Sequence, residues 1–377
     1  MKKICLTMIV KDEAHIIERC LDSVRGLVDF YWIVDTGSSD GTDSVIKNWF
    51  TKNNLKGEIC YQKWVNFAHN RTEALRLARH TFEEADYLLM IDADEIIVFR
   101  DEDAVKNIKK LKENLTADLY DVQTLMSGST YVRPQLTKAS KQFKYKGVMH
   151  EFLDDSDDPI KTRGIVTDFV NKPIQDSARN KDPDKFKKDA EALEKALETE
   201  NDHFMRTRYR FYLAQCLKDS GDIGGALKNY KKRASMGGWH EEVYWSHYQA
   251  AQMMIKLGSD AEEVIQRFLK AHEAAPYRAE ALFGAAKHAR ENKLYNQAYM
   301  IAKQGIELKY PADSLFGEIW IYNFGIMDEY AVAAYYTNRP KESMKTCEAI
   351  LKKKAYPPEE EKRIKKNLEF AREAWTK

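Results

Sequence analysis

Asp92 and Asp94, separated only by Ala93, close the run Tyr87-Leu88-Leu89-Met90-Ile91-Asp92-Ala93-Asp94-Glu95 and are the pair in this sequence best placed to do chemistry. Two carboxylates one residue apart offer oxygen ligands to a hard divalent cation such as Mn²⁺ or Mg²⁺, and such a cation can hold a diphosphate. The spacing alone proves little, because Asp101-Glu102-Asp103, Asp155-Ser156-Asp157 and Asp182-Pro183-Asp184 repeat it. Those three stand among charges or in turns and read as solvated surface. Only Asp92 and Asp94 follow a continuous apolar run, the mark of a buried parallel strand. Ligands of an open α/β sheet gather just beyond the carboxyl ends of such strands. A carboxylate-rich turn or a helix cap is the alternative reading.

The elements that would position this pair are legible upstream. Ile4–Val10 reads as a first strand, followed by Asp12 and Glu13 and then Ile16, Ile17, Cys20, Leu21 and Val24 at helical spacing. Acidic residues in a first helical turn also complement the helix dipole, so this placement has a purely structural explanation as well. The design recurs: a strand over 31–34, then Asp35-Thr36-Gly37-Ser38-Ser39-Asp40-Gly41-Thr42, then a helical run over 45–50. A strand ending in a carboxylate and a Gly/Ser turn before a helix is the layout of a nucleotide site. The glycines fit neither G-x-G-x-x-G nor a Walker pattern, which argues against a dinucleotide fold or an NTPase. Asp35 suits hydrogen bonds to a base or to ribose hydroxyls; an Asx turn is the structural alternative.

A strand over 59–64 leads into Asn66-Phe67-Ala68-His69-Asn70-Arg71 and an apolar-periodic helix, and the Asp92/Asp94 strand follows. After a charged helix over 101–114 the texture changes. Segments 119–125, 129–136 and 143–149 read as strands without intervening helices, so a parallel-rich sheet would finish as a mixed one. The last of these runs into Lys146-Gly147-Val148-Met149-His150-Glu151. A lone His is commonly structural, but His150 ends a predicted strand beside a carboxylate, which makes it a candidate third metal ligand.

The chain has 377 residues, is 44% hydrophobic and 32% charged, and carries a net charge of +1. That length predicts two domains, and the charge balance gives no field for nucleic acid or an anionic membrane. Cys5, Cys20, Cys60, Cys216 and Cys347 are scattered and never form Cys-x-x-Cys, which argues against a disulfide framework or zinc site and for a reducing compartment. The start Met1-Lys2-Lys3 before Ile4–Val10 has the look of a secretion signal, but the apolar run is short and stops at Lys11-Asp12-Glu13 without a small-residue cleavage site. No apolar stretch approaches the roughly 20 residues of a membrane span. The expected location is cytoplasmic.

From Asp184 onward the sequence is almost wholly helical, beginning with a Lys/Glu-rich run over 186–197. Leu213, Ala214, Gly221, Ala226 and Tyr230 fall at tetratricopeptide spacing, and Ala251, Gly258, Val264, Phe268, Ala271 and Pro276 repeat it about 38 residues later. A third unit runs through Phe283, Ala286, Ala298, Ala302 and Pro311; a fourth, after an aromatic insertion at 316–322, uses Tyr330, Ala331, Ser343 and Cys347. Pro357-Pro358-Glu359 opens a last charged helix that would cap the array. The cluster Trp239, His240, Glu241, Glu242, Tyr244 and Trp245 reads as packing between helices, or as an acceptor or sugar contact. Such arrays bind peptides or second subunits, and self-association to a homo-oligomer is compatible with these helices.

Taken together, Val10-Lys11-Asp12-Glu13, Val34-Asp35-Thr36-Gly37-Ser38-Ser39-Asp40-Gly41-Thr42 and Ile91-Asp92-Ala93-Asp94 resemble the family-2 glycosyltransferases of the GT-A fold. Tyr61-Gln62-Lys63-Trp64 with Phe67 and Arg71, and Gly147-Val148-Met149-His150-Glu151, are similar to a subgroup that adds a tetratricopeptide-like domain and includes bacteriocin S-glycosyltransferases. Met149 replaces the usual Val, and Thr72 stands where relatives often have Asn. The resemblance implies an α/β GT-A domain over 1–180, with a Rossmann-like mixed sheet, and an all-α helical-hairpin domain over 181–377. It implies a metal-dependent inverting enzyme of the hexosyltransferase class, moving sugar from a UDP-sugar to a protein, peptide or glycan acceptor.

On that resemblance Val10, Asp12, Glu13, Asp35, Gly37, Ser38, Arg71, Asp92 and Ala93 would border the UDP-sugar. Asp94 and His150, with Asp92, would hold Mn²⁺ or Mg²⁺. Glu151 is the first candidate for the proton-accepting carboxylate and Asp154 the second; Glu95 is expected to point back into the sheet or a turn. Arg133 is a candidate phosphate contact or a surface arginine. A sugar nucleotidyltransferase shares the nucleotide-binding sheet but needs a Gly-rich, Arg-containing loop after the first strand, where this chain has Lys11-Asp12-Glu13-Ala14. A catalytically inactive scaffold is the alternative from a different class.

Overall fold

The computed structural model describes residues 1–126 and 129–376. The chain divides into two compact units, Met1–Lys185 and Phe186–Lys377.

The first unit is built on ten strands: β1 (Ile4–Val10), β2 (Phe30–Asp35), β3 (Gly57–Tyr61), β4 (Tyr87–Met90), β5 (Glu95–Phe99), β6 (Leu119–Met126), β7 (Ser129–Lys138), β8 (Lys144–Lys146), β9 (Phe152–Asp154) and β10 (Arg163–Pro173). Its helices are α1 (Ile17–Val24), α2 (Thr42–Asn53), α3 (Phe67–Thr81), α4 (Glu102–Lys106) and α5 (Ile108–Asn114). Eight strands form one sheet in the order β3-β2-β1-β4-β7-β6-β10-β5, and β8 and β9 pair separately. β3, β2, β1 and β4 run parallel, with Val10 opposite Asp35. β7 is antiparallel to both β4 and β6, β10 is parallel to β6, and β5 closes the sheet antiparallel to β10. The four parallel strands therefore release their carboxyl ends on one side, which is what a ligand site at such an edge requires.

Alternation along β1 and β4 sends residues to two cores. Leu6, Met8, Val10, Leu89 and Ile91 join Ile17, Leu21, Ile46 and Trp49 on one face. Cys5, Leu88 and Met90 join Ala74, Leu75, Ala78 and Phe82 of α3 and its end on the other. Burial on both faces is why these strands read as unbroken apolar runs.

Three expectations need correction. The strand predicted over 143–149 shrinks to β8, because Gly147 (φ 108°) and His150 (φ 50°) turn the chain out of the extended region. His150 therefore lies in the turn between β8 and β9 and not at the end of a sheet strand. The helix predicted over 101–114 is interrupted at Asn107 and becomes α4 and α5. β5 and β10 were not foreseen; β10 shifts register between Val166 and Asn171, which breaks the alternation that would have marked it.

The second unit contains α6 (Lys185–Thr199, starting at the boundary), α7 (His203–Asp219), α8 (Ile223–Ala234), α9 (His240–Lys256), α10 (Ala261–Ala274), α11 (Glu280–Glu291) and α12 (Tyr295–Gly305). It closes with α13 (Ile326–Tyr336, entered through a π-helical turn), α14 (Pro340–Lys353) and α15 (Glu361–Thr376). The hairpins start with side-chain caps: Asp202 accepts from Met205 N, Asp222 from Gly225 N and Asp260 from Glu262 N. Gly221 and Gly258, at φ 89° and 68°, reverse the chain after α7 and α9. Ala251, Ala271, Ala281, Ala285, Ala286, Ala298 and Ala302 are fully or almost fully buried where the helices approach most closely.

Of the cluster at 239–245, Glu241, Glu242, Tyr244 and Trp245 are buried in packing and ion pairs, while Trp239 and His240 stay exposed. Tyr244 is buried, and Glu241 and Glu242 are drawn inside by two arginines. Arg278, with no exposed surface, donates to Glu241 Oε2 at 2.6 Å and to Glu280 Oε1 at 2.8 Å, and Arg233 donates to Glu242 Oε2 at 2.9 Å. The Tyr244 and Tyr322 hydroxyls donate to Glu280 Oε2, the Tyr277 hydroxyl donates to Glu241 Oε1, and the Leu315 N–H adds a second donor to Glu241 Oε2. Removing one partner of such a group strands the others without water. Arg278→Ala is expected to lower unfolding stability by about 3–5 kcal/mol, read from urea denaturation by circular dichroism. A loss below about 1 kcal/mol would show that the network is not holding the helices.

Candidate active site

At the ends of β1 and β2 the backbone is laced together by short polar side chains. Asp35 Oδ1 accepts from Gly37 N at 2.9 Å and Ser38 N at 2.7 Å, an Asx turn that lets Gly37 take φ 111°. Asp12, itself at φ 57°, donates its N–H to Ser38 Oγ and accepts from Ser39 N at 2.7 Å. The Glu13 N–H donates to Thr42 Oγ1 at 2.8 Å. The Asx-turn reading of Asp35 is thus realised, whereas Asp12 lies ahead of α1, whose first turn carries Glu18, and does not serve that helix's dipole. These bonds also hold two strand ends in fixed register around the buried Val10.

Glu13 is the unusual member. Its carboxyl is buried, and burial followed by the charges of Asp94, Asp40 and Asp176 pushes its pKa up to about 7 against the pull of the Ala178 N–H.

At the end of β4, Asp92, Ala93, Asp94 and Glu95 point to different duties. Ala93 is buried in the sheet core. Glu95 is buried, accepts from its own turn at Asp92 N (3.1 Å) and is ion-paired with Arg133. Its expected orientation, back into the turn, is what the structure shows. Arg133 is therefore no plain surface arginine, and its Nε is buried without a hydrogen-bond partner.

Asp92 and Asp94 part company electrostatically. Burial would raise Asp92, but Arg71 and Arg133 together hold it below the ordinary carboxylate range. Asp94 goes the other way: burial and then the neighbouring Asp92 charge push its carboxyl up against a hydrogen bond from Ser177, and its Oδ2 accepts from Asn180 Nδ2 at 3.2 Å.

α3 supplies the cation of the site. Asn66 caps the helix by accepting from His69 N, which places Arg71 in its second turn. Arg71 Nη2 donates to Asp92 Oδ1 at 2.7 Å, and its Nε donates to Glu151 Oε1 at 2.6 Å. The guanidinium also lies 5.8 Å from the centre of the Tyr145 ring. Arg71, Asp92 and Glu151 are the predicted residues that the fold brings together most tightly. Asp154 is engaged locally, accepting from Ser156 Oγ at 2.9 Å.

Sequence reasoning missed one segment. After β10 the chain crosses the edge of the site: Asp176 is paired with Arg19 at 2.7 Å, Ala178 N approaches Glu13 Oε2 and Asn180 reaches Asp94. Short and polar, 176–181 carried no pattern by which its position could be read.

Among the described residues no three His, Cys, Asp or Glu side chains are gathered where they could hold a metal ion. The shell expected from Asp92, Asp94 and His150 is not assembled: Arg71 engages Asp92, and His150 stands exposed in the β8–β9 turn. Asp94 fits a cation by its chemistry, a carboxylate of the hard-oxygen kind that accepts hydrogen bonds from Ser177 and Asn180. Mg²⁺-type sites commonly use one or two carboxylates and complete their coordination with substrate phosphates.

A mixed sheet whose parallel strands end in this carboxylate and arginine cluster, followed by helical hairpins, defines a GT-A-type α/β domain joined to a tetratricopeptide-like array. Residues 5–171, most of the first unit, match the family described as Glycosyl transferase family 2, so the first unit carries a family-2 glycosyltransferase domain.

The chain is 23% identical over 315 residues to a TPR repeat-containing protein of Synechococcus elongatus, covering 81% of this chain and 75% of the relative. It is 25% identical over 135 residues to an uncharacterized glycosyltransferase of Rickettsia bellii, covering 36% of this chain and 42% of that one. Among solved structures it is similar to TarS of S. aureus, residues 1–349, at 11% identity and a TM-score of 0.37, covering 78% of this chain and 91% of that one. No helix among the described residues is long and apolar enough to cross a membrane.

The Glu13 carboxyl yields a pH-dependent outcome. Its pKa rises from the ordinary 4.5 to about 7 on folding, so the folded state binds the proton more tightly and the buried charge costs stability as pH climbs through that window. Glu13→Gln is expected to match wild type below about pH 4.5 and to exceed it by about 2–3 kcal/mol above about pH 7.5, in urea titrations at several pH values. Equal stabilities at pH 8 would refute the burial of this charge.

Proposed function

We propose that the first unit transfers a sugar, with inversion, from a UDP-sugar to a protein, peptide or glycan acceptor. The observation that carries this is the Arg71 bridge, which sets Glu151 beside the strand end that carries Asp92 and Asp94. In a single displacement the acceptor attacks the anomeric carbon as the bond to the diphosphate oxygen breaks. A carboxylate on the acceptor side takes the proton. Glu151 is that carboxylate in our reading; Asp154, tied into its own turn, is second. Asp35, Gly37 and Ser38, with Val10, Asp12 and Glu13, would border the nucleoside. Arg133, whose Nε–H lacks a partner, would donate to the leaving diphosphate.

A divalent cation, Mn²⁺ or Mg²⁺, would be held by Asp94 with the donor phosphates and would neutralise charge on the departing diphosphate when bound. His150 is close in sequence to Glu151 and would reach this ion only if the β8–β9 turn shifts on binding. The helical unit is proposed to present the acceptor or a second copy of the chain, in the cytoplasm. The S. elongatus relative, which covers most of the chain and is described by its repeats, favours an interaction scaffold as the second reading.

The test is UDP release from a panel of UDP-sugars with Mn²⁺, for wild type, Asp94→Ala and Glu151→Gln. Release from one or two donors is expected, falling at least about 100-fold on chelation and in Asp94→Ala. Glu151→Gln is expected to bind the same donor by calorimetry while losing about 100-fold or more in transfer. A wild-type chain that neither cleaves nor binds any UDP-sugar would leave the scaffold reading standing.

A further inference from the structure

We infer that Thr72 is a positioning residue whose hydroxyl fixes the β8–β9 turn and thereby sets where the Glu151 carboxylate stands. The inference rests on the reading of Glu151 as the proton-accepting carboxylate.

Thr72 follows Arg71 on α3, and its Oγ1 accepts the backbone N–H of Tyr145 at 2.8 Å. Tyr145 is the middle residue of β8 and pairs with Leu153 of β9, so this bond ties the foot of the hairpin to the helix. Its ring faces the Arg71 guanidinium, and its hydroxyl donates to Met90 Sδ at 2.9 Å, in the strand that runs into Asp92. Consecutive residues of one helix therefore grip the hairpin at two points: Thr72 at the foot through the backbone, and Arg71 at the tip through Glu151.

The stretch between these points forms no strand or helix, Gly147 and His150 both adopt left-handed backbone, and Met149 within it is buried. The anchoring of its two ends therefore adds to the burial of Met149 in setting its course. The Arg71–Glu151 ion pair fixes a side chain but not the backbone that carries it, whereas the Thr72 bond fixes the backbone. A valine at 72 would keep the shape and β-branching while leaving the Tyr145 N–H facing a methyl group. A serine would keep the acceptor.

The experiment compares full-length Thr72→Val and Thr72→Ser with wild type in two readouts: steady-state UDP release from the donor that wild type uses, and amide hydrogen exchange across 147–151. Thr72→Val is expected to lower kcat at least about tenfold with donor KM within about twofold, and Thr72→Ser to return kcat to within about threefold of wild type. Exchange at 147–151 is expected to accelerate about tenfold or more in Thr72→Val while amides of β1 and β4 keep wild-type protection. Wild-type kcat in Thr72→Val, a loss confined to KM, or unchanged exchange at 147–151 would overturn the inference. Should Thr72→Val not fold, Thr72→Ala, which admits water to the Tyr145 N–H, is judged by the same two readouts and the same criteria. Full transfer by Glu151→Gln would defeat the underlying reading, and the exchange readout would still decide whether Thr72 anchors the turn.

Discussion

One guanidinium organises the catalytic face of this protein. Arg71 is largely withdrawn from water and divides its donors between Asp92, at the end of a parallel strand, and Glu151, in a turn outside the main sheet. A buried charge survives only when its hydrogen bonds are satisfied, so each carboxylate is held where the arginine can reach it. The first turns of α3 are accordingly crowded with residues that fix its start. Asn66 caps it; Asn70, fully buried, accepts from Val65 N and donates to Lys63 O; Arg71 and Thr72 then reach outward to the site and the hairpin. Without this anchoring the helix could rotate and carry its arginine away from both carboxylates.

The same constraint explains why two aspartates in one short motif behave differently. Asp92 faces two arginines and is held ionised, while Asp94 looks toward Asn180 and other acids and is pushed toward the neutral form. With Glu13 also raised by burial, two carboxyls at this edge are pushed toward the neutral form while Asp92 is held ionised. Ionising such buried carboxyls is costly on its own and becomes favourable beside a cation.

Much of this was legible in the sequence, for physical reasons that also mark the limit. β1, β2 and β4 are buried on both faces, so their apolar runs announce them, and the carboxylates after them follow from the chain direction alone. β10 was hidden because a register shift interrupts its alternation, and β5 because it is short and begins inside the acidic motif. The ion pairs were out of reach: Arg71 lies 21 positions from Asp92 and 80 from Glu151, and no local pattern joins them. The expected position of His150 differs from the observed one on a related point. His150 was placed at the end of a strand, and two left-handed residues remove it from there.

The helical unit shows the complementary case, in which long-range pairing follows the repeat. Glu241 of α9 meets Arg278 just before α11 at a separation of 37 residues, Arg290 of α11 meets Glu329 of α13 at 39, and Asp328 of α13 meets Arg363 of α15 at 35. Each separation is close to one repeat, so the pairs form a ladder between successive hairpins. The contacts around them are rich in alanine, and smooth alanine surfaces discriminate poorly between one packing register and the next. Sliding a hairpin by a helical turn, about 5.4 Å, would separate these charges while leaving much of the apolar contact area in place. The carboxylates at 241, 328 and 329 are mostly buried, so separation would cost far more than a surface pair is worth. In so degenerate a set of repeats, apolar burial supplies the adhesion and the ion pairs select the register.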